Sequence, residues 1–247
     1  WQGADGQTHS IGGSLLSDTG AVFTAAHSTT TFTTTGSGRT LDINNGTYYN
    51  VSFTGTGSWT VTDTALVVDN YTQTAGTLTL PSGTTTVGGY WNMTGGALTH
   101  NGSPMVFTAT TTNNPVAFNN SSVATLLFTG TGGWDMNDTN ATSSSVTVSA
   151  GTLSLPSGTL TVGGSFRNTG GSIVHNTSEL KLSTSTSATL LASSSDLYGV
   201  TFAGGGTYTM EDTSLALLDT LTITNATTTL ATGTLSIGGS FDATNGV

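Results

Sequence analysis

The sequence predicts an all-β fold, a right-handed parallel β-helix (β-solenoid) built from tandem repeats of about 75 residues. Three observations predict it: internal repetition, strand-type alternation with no helical stretch, and a near absence of charge. The repetition comes first because it bears on the whole chain. GTLTLPSGTTTVGGYW at 76–91 returns as GTLSLPSGTLTVGGSF at 151–166, and a worn copy, TTTLATGTLSIGGSF, runs from 227 to 241. The glycine pairs Gly88-Gly89, Gly163-Gly164 and Gly238-Gly239 are evenly spaced. A second landmark keeps the same register: FTGTGSWTVTDT begins at Phe53, FTGTGGWDMNDT at Phe128 and FAGGGTYTMEDT at Phe202. Within it Trp59, Trp134 and Tyr208 correspond, as do Asp63, Asp138 and Asp212. Gly12-Gly13 precedes Gly88-Gly89 by almost the same interval. The chain therefore reads as one domain over 1–247: a partial unit at 1–52, repeats at 53–127 and 128–201, and a truncated repeat at 202–247.

Each unit alternates. Leu153, Leu155, Leu160 and Val162 are separated by Thr, Ser and Gly, a period of two that belongs to strands. SVTVS at 145–149, ELKLS at 179–183 and TLTIT at 220–224 behave alike, and Thr suits a pleated outer surface. Gly, Asn and Ser break these runs too often for a helix. Many short strands suit a sandwich, a barrel or a solenoid, but only a solenoid needs long-range self-similarity, because each coil buries its inner face on the next. Apolar centres recur near twenty residues: Leu127, Val146 and Phe166, then Leu180 and Leu190 before Val200. Each unit is thus three or four coils. Twelve coils at an interstrand spacing of about 4.8 Å make a rod of roughly 60 Å, with Leu, Val, Ile, Phe and Trp inward and Thr, Ser and Asn outward.

Composition excludes several roles. Charged residues are 6% of the chain and the net charge is −10, with Arg39, Arg167 and Lys181 the strong cations. Nucleic acid is not an expected partner, since phosphate binding needs clustered Lys and Arg, nor is an anionic membrane surface. No apolar run approaches the length that spans a bilayer, so membrane insertion is not expected. There is no cysteine, hence no disulfide framework. A chain that begins at Trp1 fits a processed exported protein or an excerpt of a longer one.

The succession FTGTGxW, GTLxLPSGTxTVGGxF and TGGxxxHN resembles the tandem modules of large bacterial surface and secreted proteins, including β-helical adhesins and autotransporter-type passengers. The resemblance covers nearly all of residues 12–247. It implies a parallel β-helix serving as stalk, adhesin, filament or coat part. Such modules share no active site, so no functional residue carries over.

The residues with chemistry are scattered. Parallel β-helices also include polysaccharide lyases and hydrolases, whose sites need clustered acids with a base; here Asp63, Asp138 and Asp212 recur singly, three or four coils apart. No catalytic, cofactor-binding or metal-binding residue is assigned, and the chain is not expected to be an enzyme. The repeated aspartates read as turn residues accepting backbone N–H bonds. Ca²⁺ is the one cofactor that the oxygen-rich run Asp135-Met136-Asn137-Asp138 would suit. His100 and His175 correspond and read as turn or surface residues, while His9 and His27 have no counterpart. Glu179 and Lys181, on one strand face, are expected to form a weak exposed ion pair. The glycine-rich FTGTGS and FAGGGT lack the Lys and helix of a phosphate cradle and read as tight corners. Eleven of sixteen asparagines open Asn-x-Ser/Thr, an excess that alternation inflates and that also fits an exported protein in a glycosylating host.

The expected function is an extracellular or cell-surface structural protein, part of a filament, fibre or surface layer. Terminal coils without a cap would pair end to end, giving self-association that does not close; glycans or other surface proteins are further expected partners. The alternatives are a surface adhesin, glycan-binding or carbohydrate-active β-helix, and an ice-binding solenoid using outward Thr arrays such as those within TTTFTTT.

Overall fold

Segments one coil apart in sequence pair in parallel throughout the chain. A computed structural model describes residues 2–244 and 246. It is an all-β solenoid of about 12 turns, roughly 20 residues per turn, without helix among these residues. The turn count and the coil length expected from the sequence both hold.

Each coil has three strand positions, and each position stacks into a ladder. On the first face Val68, Val87, Phe107, Phe128 and Val148 are successive register partners. On the second, Phe32, Phe53, Gln73, Met93 and Phe118 follow one another. On the third, Trp59, Leu78 and Leu98 lead later to Leu160, Leu180, Val200 and Leu221. Long strands round the corners: Leu66–Gln73 pairs with Thr85–Val87 at one end and Trp91–Met93 at the other. Ala141–Val148 does the same. Such bent strands join most of the ladders into one 22-stranded sheet, beside smaller sheets of five and two strands.

Alternation decides which side chains enter. Leu153, Leu155, Leu160 and Val162 are buried, as their period requires, whereas Thr161 between them is only partly covered. One position is displaced from expectation. Leu127 points outward, and its neighbours Leu126 and Phe128 fill the core, because the column that carries Val146, Phe166 and Leu190 passes through Leu126.

The FTGTGxW motif is a packing unit. Its Phe and aromatic rings meet across the corner at 5.0 Å for Phe53–Trp59, 5.2 Å for Phe128–Trp134 and 4.8 Å for Phe202–Tyr208. The loops between them press against the preceding coil, which is where the glycines are needed. In these loops a Cβ on Gly55 or Gly130 would stand 2.1 Å from the Thr34 or Ala109 carbonyl, and one coil on Gly76 and Gly151 sit at φ +72° and +69°. A Cβ on Gly76 would stand 2.6 Å from the carbonyls of Gly55 and Gly57 and 2.8 Å from Trp59. On Gly151 it would meet Gly132, Gly130 and Trp134 at 2.3, 2.7 and 2.9 Å. These are tight corners, as the sequence suggested, with glycine stacked over glycine beside an indole.

The sequence repeat and the coil do not share a period. Trp59 lies on the third face, Trp134 on the second and Tyr208 on the first. At roughly 20 residues per turn, the sequence unit is close to three and two-thirds coils. Each repeated motif therefore reappears one face round from its previous copy. Even the irregularities follow. Where a strand lapses, the backbone N–H of Leu98 donates to the Ser121 hydroxyl at 3.2 Å, and one repeat later Ile173 donates to Ser195 at 3.2 Å on another face.

Two expectations test this architecture. Phe128→Ala and Leu155→Ala should each cost about 2–5 kcal/mol in urea unfolding, with Thr161→Ala close to parent; equal losses at all three would overturn the assigned facing. Deleting positions 76–150 joins Ala75 to Gly151, the junction already present at Ala150-Gly151. The shortened chain should keep its β-type circular dichroism and one cooperative transition. Collapse to an unfolded chain would mean that the repeat is not the unit of packing.

Candidate functional site

The recurrent aspartates face inward along the coil edge and are bonded to backbone. Asp63 accepts the N–H groups of Ile43 at 2.9 Å and Asn45 at 2.6 Å. Asp212 accepts those of Ala192 and Ser193 at 2.7 and 2.8 Å, and Asp138 accepts that of Phe118 at 2.5 Å. Each carboxylate thus ties its own corner to the corner one coil earlier, where a left-handed turn leaves N–H groups pointing along the rod. The turn reading of these residues holds, with the partners in the neighbouring coil. Among the described residues no three His, Asp or Glu side chains stand together as a metal site.

His100 and His175 also serve turns. Nδ1 of His100 accepts the N–H of Gly102 at 2.9 Å, and Nδ1 of His175 that of Thr177 at 3.1 Å. The asparagines after them adopt φ +50° and +47°, and their amides donate to Leu80 and Leu155 carbonyls at 3.3 and 3.0 Å. Asn119 does the same to Gly96 at 3.0 Å. A left-handed corner favours Asn, and the last corner residues before the next strand supply Ser two residues on, at Ser103, Ser121 and Ser178. That is a structural source for part of the Asn-x-Ser/Thr excess.

The expected Glu179–Lys181 ion pair does not form. The Glu179 carboxylate instead accepts the Thr201 hydroxyl at 2.6 Å and leans over Gly199, where a Cβ would be 2.1 Å from Oε2. Burial pushes its pKa up, and Asp219 adds to the rise, against the Thr201 hydrogen bond. A glycine in the next coil offers the chain more room than Lys181 offers charge. The cation that does find a carboxylate is Arg167, which reaches Glu211 at 2.7 Å and the Thr189 hydroxyl at 2.9 Å. Sequence reasoning missed this pair, since its members lie on different coils, far apart in the chain.

It also missed three buried amides. Gln73 is fully buried and donates to the carbonyls of Ala75, Gly76 and Ala97 at 3.2, 3.0 and 3.2 Å. Asn168 donates to Gly171 and Ala192, both at 3.0 Å, and Asn114 to Thr111 and Gly133 at 2.6 and 2.9 Å. Each fills a corner where carbonyls converge. The available signal was their inward parity between apolar neighbours.

A groove of about 450 Å³ is lined by Phe23, Ala26, Gly46, Tyr49 and Asp69, and smaller hollows of about 290 and 260 Å³ lie beside Ser194 and Ser122. Beside it the His27 ring meets Tyr49 edge-on at 4.7 Å, and His27 Nδ1 lies 2.8 Å from the Asp5 carboxylate. Burial also raises the Asp69 pKa, opposed by the Asn70 amide and by His27.

The chain matches no family model, no curated protein and no solved structure with which it was compared.

If the aspartates anchor the corners, Asp212→Ala should cost about 1–3 kcal/mol, the penalty for stranding buried N–H donors. Asp196→Ala, where the side chain takes no part in such an anchor, should cost almost nothing. Equal and negligible effects in thermal or urea unfolding would remove the anchoring role.

Proposed function

We propose that this chain is a structural rod segment of an extracellular or cell-surface assembly, a fibre or surface-layer component of the kind found in large bacterial surface proteins. The observation that carries this reading is the parallel inter-coil ladder whose recurrent carboxylates are spent on backbone N–H groups. Side chains so engaged are poor candidates for acid–base work on a substrate. A surface of hydroxyls and amides with 6% charged residues suits a part that meets water and neighbouring rods.

Assembly along the rod axis belongs to the same reading. Phe241 is 55% exposed, while its counterpart one repeat earlier, Phe166, is fully buried. A further coil stacked there, from this chain's continuation or from a second molecule, would cover it and pair the open strand edge. Ice binding gains no comparable support. On the third face Thr77 gives way to Ala97, and further along Thr159 and Thr161 are followed by Glu179 and Lys181, while Thr227 and Thr229 stand on the first. A flat lattice match needs one continuous array.

Trypsin tests the rod and microscopy tests the assembly. Arg39, Arg167 and Lys181 all lie within strands, so the folded protein should resist trypsin for hours; rapid native digestion would count against a continuous ladder. Native material should appear in electron micrographs as filaments or extended layers, and isolated particles about 60 Å long would defeat the assembly proposal. The denatured mass then separates polymers of a 24.8 kDa chain from a longer polypeptide.

A further inference from the structure

We propose that the groove beside Tyr49 is a binding site for a neutral oligosaccharide. Its shape arises from small residues. Ala26, at φ +48°, lies at the corner between the first and second faces, and Gly46 at the turn that leads into the first; both line the groove. A Cβ on Gly46 would already touch the Phe23 Cβ and the Ile43 carbonyl, at 3.0 and 3.1 Å. Tyr49 and Asp69 stand along the same hollow, one coil apart on the bent strands Thr47–Phe53 and Leu66–Gln73.

The chemistry suits a pyranose. Tyr49 belongs to a strand whose inward aromatics, Tyr48 and Phe53, fill the core; its own ring is partly buried, one side packed against that core and the other lining the groove. His27, held by Asp5, meets that ring edge-on and fixes its orientation. A flat ring against the C–H face of a sugar, with a few placed polar groups, is how apolar and polar recognition combine in such a hollow. Asp69 provides the polar part. Its Oδ2 accepts the Asn70 amide at 3.0 Å, and Oδ1 lies where a Cβ on Gly88 would be only 2.5 Å away. Gly88 therefore keeps space beside that oxygen, and an ionised carboxylate makes strong charge-assisted bonds to sugar hydroxyls. Alongside runs an amide ladder, Asn70 donating to Asn50 at 2.9 Å and Asn50 to Thr29 at 3.3 Å.

Charge selects among glycans. The groove presents Asp69, with Asp5 nearby, and the three strong cations of the chain line none of it. With a net charge of −10, uronic and sialic acids would be repelled.

Isothermal titration with the neutral trisaccharides maltotriose, cellotriose and tri-N-acetylchitotriose, and with trigalacturonate as acidic probe, tests the site. At least one neutral probe should bind saturably, and trigalacturonate at least about tenfold more weakly. Tyr49→Ala and Asp69→Asn should each weaken binding by about tenfold or more while keeping the β-type circular dichroism of the parent, and Tyr90→Ala should bind like the parent. Should one of the two variants unfold, the other still decides. Absence of saturable binding by all three neutral probes overturns the proposal. So does binding that Tyr49→Ala leaves intact, or trigalacturonate binding as tightly as the best neutral sugar.

Discussion

Everything in this molecule answers to the parallel backbone hydrogen bonds between one coil and the next. A ladder in register requires that an inward residue meet an inward residue one turn later, since a slip by one reverses every side chain. Coil length is free only outside the strands. Tyr71 pairs with Trp91 across a coil of ordinary length, but Trp91 reaches its next partner, Val116, and Phe166 its partner, Leu190, only after longer excursions. The surplus is extruded at 108–113 and 184–186, outside the strands. Corners thus absorb what the ladder refuses, which is why the glycines, left-handed asparagines and buried amides all gather there.

The interior is narrow, and aromatic stacking does much to fill it. Tyr71 lies flat on Trp91 at 3.6 Å, and Phe107 on Phe128 at 4.8 Å. Filling carries a penalty. The indole N–H groups of Trp59, Trp91 and Trp134 are buried without an acceptor among the described residues, each a cost of order 1–3 kcal/mol set against the large area a Trp buries. The third repeat handles the position of Trp59 and Trp134 differently: Tyr208 occupies it, its hydroxyl donating to Ala203 and accepting the Thr184 N–H.

Fold class, repeat period, coil length and the facing of residues such as Leu153 and Phe128 were legible because stacking imposes a two-residue alternation and long-range recurrence, both visible in one dimension. The aspartate turns were legible in kind but not in partner, since recurrence marks a position without saying which coil it serves. Glu179 was misassigned because its neighbour in sequence mattered less than Gly199 in the next coil. The pairing of Arg167 with Glu211 and the hollow beside Tyr49 were invisible for a common reason: both depend on which residues the corners bring alongside, and corner geometry has no periodic signature. The offset between repeat and coil was present in the spacing of Trp59, Trp134 and Tyr208, yet acquires meaning only once three faces are known.

That offset has a consequence for how the rod meets its surroundings. A solenoid whose repeat equals a whole number of turns has sides: one flank shows the same motif at every level and another never shows it. Here the copies climb like the thread of a bolt, and after three of them the motif has visited every flank. A neighbour approaching from any direction finds a similar pattern, displaced along the axis by one whole repeat or two. Such an object has no front or back. Rods of this kind can pack side by side without first being turned to a particular azimuth, and a shift along the axis substitutes for a rotation about it.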